Sequence, residues 1–219
     1  MTRKTHLSAA FMFGLAVCLI MGGCIHESIT EDSVQPSQES NLSTEELAIL
    51  DDDIGISLRM NPSNQNRLLA GIRAATAKYH RLSSAEADKY VLDPHCVEVP
   101  NLGGMGHHAV NMSRIGPFVN PAEPGVLVYE PMKNGGFRLG AVEYLVPAGP
   151  WHADPKNVGP PMLGNQPFDD HTEMTTNEKG EPVNAKGGPP FPHYQLHVWL
   201  WTNNPKGIYT PFNPNVSCQ

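Results

Sequence analysis

The residues able to do chemistry are histidines and one carboxylate set in unusual places. Of the ten histidines in the chain, His107 and His108 follow the glycine-rich run Gly103-Gly104-Met105-Gly106, where tight backbone turns and close approach of other groups are possible. Glu143 lies in Ala141-Val142-Glu143-Tyr144-Leu145, a stretch with the composition of a strand centre. A carboxylate there is costly to bury unless it is paired or bound to a cation. His193 and His197 share the odd-numbered positions of a third β-rich run with Gln195, Trp199 and Trp201. Imidazole and carboxylate are the donors that Zn²⁺, Cu²⁺, Mn²⁺ and Fe²⁺ accept, and three of them with an open position make a reactive centre.

Geometry restricts which of these can cooperate. At about 3.3 Å per residue, His193 and His197 stand about 13 Å apart along a straight strand, so one ion cannot reach both unless the strand bends at His193. The favoured trio is one of His107 or His108 with Glu143 and His197, each from a different element of one sheet. The alternative is that Glu143 forms an ordinary salt bridge or hydrogen bond and the histidines are surface or satisfied core. Trp199 and Trp201 admit another chemistry. Two indoles about 7 Å apart on one strand face can stack on a sugar ring or another flat ligand. Burial of both faces of a central strand is the favoured alternative.

These residues need elements to hold them. Leu68, Ile72, Ala75 and Tyr79 recur at helical spacing and predict a helix over 64–80. A second helix is expected from Ser83, with Glu86 completing a capping box, and Pro94 should end that region. Strands are expected over 126–130 and 137–146, joined through Asn134-Gly135-Gly136, and over 194–201. The stretch between the last two is rich in Pro, Gly and Asn and reads as a functional or mobile loop. The class is α+β: N-terminal helices packed on an antiparallel sheet, with long Pro/Gly-rich loops, in one domain over 60–219.

The start of the chain speaks of export. Arg3 and Lys4 precede an apolar run from Leu7 to Met21 that is shorter than the ~20 residues of a spanning helix. The junction Met21-Gly22-Gly23-Cys24 resembles a lipobox, with Met21 where Leu is usual. Residues 1–23 then form a lipoprotein signal peptide, Cys24 takes the diacylglycerol, and Ile25 after it resembles the outer-membrane sorting pattern for a host with two membranes. Residues 24–59 are acidic and poor in large apolar residues and read as a flexible tether, with a turn or two of helix over 44–50. Losing Arg3 and Lys4 takes the 15 Lys+Arg to 13 against 22 Asp+Glu, a formal −9. An acidic domain is a poor partner for nucleic acid or anionic headgroups. With Cys18 lost and Cys24 lipidated, Cys96 and Cys218 remain, the pair an oxidising compartment would join.

Familiar catalytic patterns are missing. Gly104-x-Gly106-x-x-Ala109 matches the dinucleotide fingerprint in letters, but no buried strand precedes it and no amphipathic helix follows. Pro147 to His152 is like the second cupin motif, without the first. The chain lacks G-x-S-x-G, H-E-x-x-H, C-x-x-C and a P-loop.

From Ala74 onward the chain resembles an uncharacterised family of exported bacterial proteins. The likeness runs through Gly103-Gly104-Met105-Gly106-x-His108, Leu127-x-Tyr129-Glu130, Gly140-Ala141-Val142-Glu143-Tyr144, Leu196-His197-Val198-Trp199-x-Trp201 and Asn213 to Cys218. It implies no activity. A fainter likeness is to plant oil-body-associated proteins and their bacterial relatives, whose later W-H-x-H segment is not reproduced in order here. The expectation is a lipid-anchored envelope protein binding a metal ion or small ligand in a His/Glu cleft. A metal-dependent enzyme using the same residues and a structural or carbohydrate-contacting lipoprotein are the alternatives. Metal, substrate and protein partner are not specified.

Overall fold

A computed structural model describes residues 61–218. The signal segment, Cys24, the tether and the helical turns expected over 44–50 lie outside the described residues. Asn61 caps the first helix by accepting from the Ser63 amide at 2.9 Å, and Pro62 occupies the first turn, where its missing N–H costs nothing. This helix, α1 (Pro62–Thr76), runs into a 3-10 turn (Ala77–His80), so the predicted helix is present with its last turn tightened. Ile72 and Tyr79 are fully buried from its apolar face. The next helix, α2 (Leu82–Ala87), begins a residue before the expected cap, and no side chain caps it. Leu82 packs against the core, which draws it into the first turn and leaves the Ser83–Glu86 box unformed.

Six antiparallel strands form one curled sheet in the spatial order 91–99, 103–110, 126–131, 137–147, 193–199 and 169–171. The helical region is over at Ala87, ahead of Pro94 as expected, and the first strand, β1 (Val91–Val99), which the sequence did not announce, runs through that proline. It is an edge strand, and its pairing with β2 (Gly103–Val110) is interrupted between Leu92 and Cys96, so the missing proline N–H falls in the irregularity. A short 3-10 turn (Met112–Arg114) leads toward β3 (Val126–Pro131), which pairs with β4 (Phe137–Pro147) across the predicted Asn-Gly-Gly turn. Gly135 there has φ 78°, and the Gly136 amide donates to the Asn134 side chain at 3.0 Å.

The stretch expected to be irregular is ordered in short pieces. It contains α3 (Ala148–His152), the pairs β5 (Met162–Leu163) with β6 (Gln166–Pro167) and β8 (Met174–Thr176) with β9 (Pro182–Asn184), and β7 (Asp169–His171). β7 pairs with β10 (His193–Trp199) and extends the main sheet. β10 ends at Trp199, so Trp201 lies beyond the strand.

Strand alternation splits the sheet into two faces. Leu127, Val142, Tyr144, Leu196 and Val198 lie in the main core with Ile72 and Tyr79 of the helical segment. The opposite face carries Val126, Glu143, Gln195 and His197 into a cavity. Both faces of the central strands are therefore covered. Trp199 is 3% exposed, packs with Val128 and Ala141, and donates from Nε1 to the Thr210 carbonyl at 2.8 Å. Trp201 lies against the His80 ring and the Arg73 guanidinium, with centroid distances of 4.3 and 5.8 Å. The two indoles do not make a shared stacking platform.

The glycine-rich run serves the backbone. Gly103 and Gly106 have φ of 93° and 103°, and a Cβ at either would run into a carbonyl, that of Asn213 or of Tyr129. Gly104 exchanges backbone hydrogen bonds with Asn213 at 3.1 and 3.0 Å, which seats the C-terminal segment on β2. Cys96 and Cys218 meet there, Cα atoms 5.8 Å apart and sulfurs at bonding distance.

Candidate metal centre

Three adjacent decisions of strand register build the site. His197 on β10 is the direct partner of Glu143 on β4, and Glu143 is the partner of Val126 on β3. Val126 in turn faces Val110 on β2. One row across the sheet thus reads Val110, Val126, Glu143, His197. His108 lies two residues from Val110 on the same face, and the curl of the sheet brings its ring across β3 toward β4. Its Nε2 is 3.6 Å from Glu143 Oε2, and His197 Nε2 is also 3.6 Å from that oxygen. One donor atom from each of the three residues lies within 4.8 Å of the others, so they could hold a metal ion.

Alternation decides between the two adjacent histidines. His107 pairs with Tyr129 and points to the helical side, where its ring meets Phe137 at 5.2 Å and its Nδ1 donates to the Asp93 carbonyl at 3.1 Å. His108 alone faces the cavity with Glu143. His193 is also outside the cluster, as the strand spacing required. It is fully buried, its Nδ1 donates to the Phe191 carbonyl at 2.7 Å, and its Nε2 is 3.2 Å from the Gln195 side chain.

The electrostatics of the three are set by burial. Desolvation lowers His108 to about 4 and His197 to about 3, and it raises Glu143 to about 8. The 3.6 Å contacts would be ion pairs if the imidazoles were charged, but all three groups are neutral at pH 7. Neutral imidazoles are the form that ligates metal. His197 is 1% exposed, and neither of its ring nitrogens has a hydrogen-bond partner among the described residues. An unsatisfied buried donor or acceptor costs about 1–3 kcal/mol. A metal ion accepts such a nitrogen without needing its proton. Donors about 2.0–2.2 Å from a tetrahedral ion are about 3.4 Å apart, so shifts of a few tenths of an ångström close the 3.6 Å contacts around one.

The cluster forms the floor of a cavity of about 790 Å³. Its walls include Val110, Ile115, Val126, Leu145, Phe191 and Phe212. Four polar wall residues, Asp93, His171, Lys186 and Gln195, were not among the expected site residues. His171 on β7 is lowered by desolvation, donates from Nδ1 to the Gly187 carbonyl at 3.1 Å, and lies 5.1 Å ring to ring from His193. Its segment has no periodicity that could have marked it. Gln195 shares the named odd face of β10, and its position between His193 and His197 was the available signal. Gly188, with φ 88°, lets the covering loop approach closely, since a Cβ would meet His193 Nε2 at 3.1 Å and Gln195 Oε1 at 3.2 Å.

Comparisons with protein-family models, with curated proteins and with solved structures found no match to this chain. The case for function therefore rests on the site itself.

Proposed function

We propose that this protein binds one divalent transition metal through His108, Glu143 and His197, beneath an apolar cavity that admits a small ligand. The observation that carries the reading is His197: fully enclosed, without a hydrogen-bond partner on either nitrogen, and facing a buried carboxylate. Two imidazoles and one carboxylate suit Zn²⁺ or Fe²⁺ above the others in the Zn, Cu, Mn and Fe group, since this donor set recurs for both. Three protein ligands leave coordination positions open toward the cavity. That opening favours, as a second reading, a metal-dependent enzyme in which a ligand joins the ion directly.

We further propose that the domain works outside the cytoplasm, held to a membrane by lipid on Cys24. The basic n-region, the short apolar run and the Gly-Gly-Cys junction support this. The Cys96–Cys218 pair fits an oxidising compartment. No helix among the described residues is long and apolar enough to cross a membrane.

The test is elemental analysis of protein purified without chelator, beside a His108→Ala variant. About one equivalent of a transition metal in the parent, and loss of most of it in the variant, is expected. A parent that stays metal-free after incubation with each candidate ion would refute the proposal.

A further inference from the structure

The cavity and the charge of its floor together restrict what can occupy it. With a divalent ion in place, two neutral imidazoles and one carboxylate leave a net charge of +1 at the centre. The side chains around the floor disperse little of that charge. Val110, Val126 and Leu145 stand beside it in the strand register, Gln195 and His171 are uncharged polar neighbours, and Phe191 and Phe212 complete the apolar lining. The charged lining residues are exposed and already engaged: Asp93 accepts from the His95 amide at 2.8 Å, and Lys186 donates from Nζ to the Asp170 carbonyl at 2.6 Å. A charge in such surroundings is costly unless a counter-charge meets it. One anionic oxygen donor on the open coordination position brings the centre to neutrality. The walls then ask for an apolar body behind that donor, because burial of apolar area is the attraction they offer. A volume of about 790 Å³ lies in the range of cavities that enclose ligands of drug size.

From this placement we propose that the cavity takes an amphiphilic monocarboxylate, its carboxylate on the metal and its apolar body along Val110, Val126, Leu145, Phe191 and Phe212. The inference rests on the metal reading above and adds the class of ligand. Neutral alcohols of the same length lack the compensating charge. Alkylammonium ions carry the wrong sign and are repelled. Dicarboxylates would place a second charge against an apolar wall. Acetate supplies the head without the body, so its affinity sets the contribution of the metal contact alone.

The experiment uses the chain from residue 24 onward with Cys24→Ser, which avoids detergent that could fill the cavity. Zn²⁺ binding is measured first by thermal melting and calorimetry. The Zn²⁺-loaded protein is then titrated with acetate, butanoate, hexanoate, octanoate and decanoate, and with the matching alcohols and alkylammonium ions. Each methylene placed in the cavity should tighten alkanoate binding about fourfold, from ~0.8 kcal/mol per buried CH₂. Binding should fall sharply for the zinc-free protein and for the alcohols. In protein loaded with Co²⁺ in place of zinc, octanoate should alter the visible ligand-field bands. Tight Zn²⁺ binding with no chain-length dependence, or alcohols binding as well as alkanoates, would overturn the ligand class and leave the metal site standing. Alkanoates binding equally with and without metal, or leaving the Co²⁺ bands unchanged, would overturn the carboxylate-on-metal placement. Failure of Zn²⁺ and Co²⁺ to bind at all would remove both proposals together.

Discussion

Replacing Glu143 by Gln separates a metal ligand from a structural partner more cleanly than any other change at this site. The carboxyl is 5% exposed and burial raises it to about 8, so at pH 7 without metal it is a neutral acid. Glutamine has nearly the same shape and is also neutral, so the metal-free variant should melt within a degree or two of the parent at pH 7. A structural salt bridge would behave differently, because its loss would destabilise the fold with or without metal. With metal the two proteins should diverge. Losing even an outer-shell partner costs roughly 10–100-fold in metal affinity, so loss of a direct ligand should cost at least about 100-fold. At a free metal concentration 100 times the parent Kd, binding adds about 2.7 kcal/mol, which for a domain of this size raises Tm by roughly 5–11 °C. The variant at that same concentration would stand near its own Kd and gain only about 0.4 kcal/mol, or roughly 1 °C. The assay is a melting series for both proteins with Zn²⁺, Cu²⁺, Mn²⁺ and Fe²⁺, the last under anaerobic conditions. If no ion moves the parent, and the variant is destabilised equally in every condition, the reasoning fails and Glu143 is an ordinary buried partner.

Four other outcomes follow from the geometry. His107→Ala should leave metal affinity within about threefold of the parent, because its ring faces Phe137 on the other side of the sheet; equilibrium dialysis checks this against the loss expected for His108→Ala. Metal-free stability should peak near pH 6.5. Glu143 is raised to about 8, so its contribution is full below its unfolded value of 4.5 and is lost as pH climbs to 8, whereas His108 and His197 are lowered to about 4 and 3, so theirs is present above 6.5 and lost on acidification. Above pH 6.5 the slope should be about 1.4 kcal/mol per pH unit and should vanish in Glu143→Gln, as read by denaturant melts. Reducing the Cys96–Cys218 bond, which spans 122 residues, should cost about 4–5 kcal/mol in the chain-entropy model and weaken ligand binding, because the segment it anchors carries Phe212; unfolded, unreduced protein should show no free thiol from this pair. Cys24→Ser should release the protein from membranes, since two acyl chains give stable anchoring where one is marginal, and fractionation with mass measurement reads both effects.

What could be read beforehand depended on whether local chemistry had a single solution. The helical segment that runs to His80 and the β3–β4 hairpin were legible because apolar spacing and Asn-Gly-Gly each admit one local structure. Pro94 rightly marked the helical region as over, since α2 ends at Ala87, but β1 was not legible around it, because a proline fits a strand only at an edge with broken pairing and edge position belongs to the tertiary fold. Ser83 misled because burial of Leu82 outweighed a cap. Glu143 and His197 were legible as chemically misplaced residues on β-rich runs. The choice of His108 over His107 was not, because it depends on which face of β2 meets the core. His171 and Phe212 were invisible for a further reason: β7 and the segment before Asn213 reach the cavity through long-range pairing, with no periodic signature of their own.

The energetics of the row Val110, Val126, Glu143, His197 point the same way as its geometry. A strand pair at the centre of a sheet is best served by apolar cross-strand partners, and valine or leucine at 143 and 197 would fill this face with no desolvation penalty. The chain places a carboxyl and an imidazole opposite each other there, shifts both far from their solution behaviour, and leaves both His197 nitrogens without a partner. None of this stabilises the metal-free fold. His193, equally buried two turns of the pleat away, shows what a structural histidine in this sheet looks like: one nitrogen bonded to a carbonyl and the other to an amide side chain. The contrast within a single strand is the strongest reason to read His197 as a ligand, because the same environment gives one imidazole a partner on each nitrogen and gives the other none until a cation joins its Nε2 and Glu143.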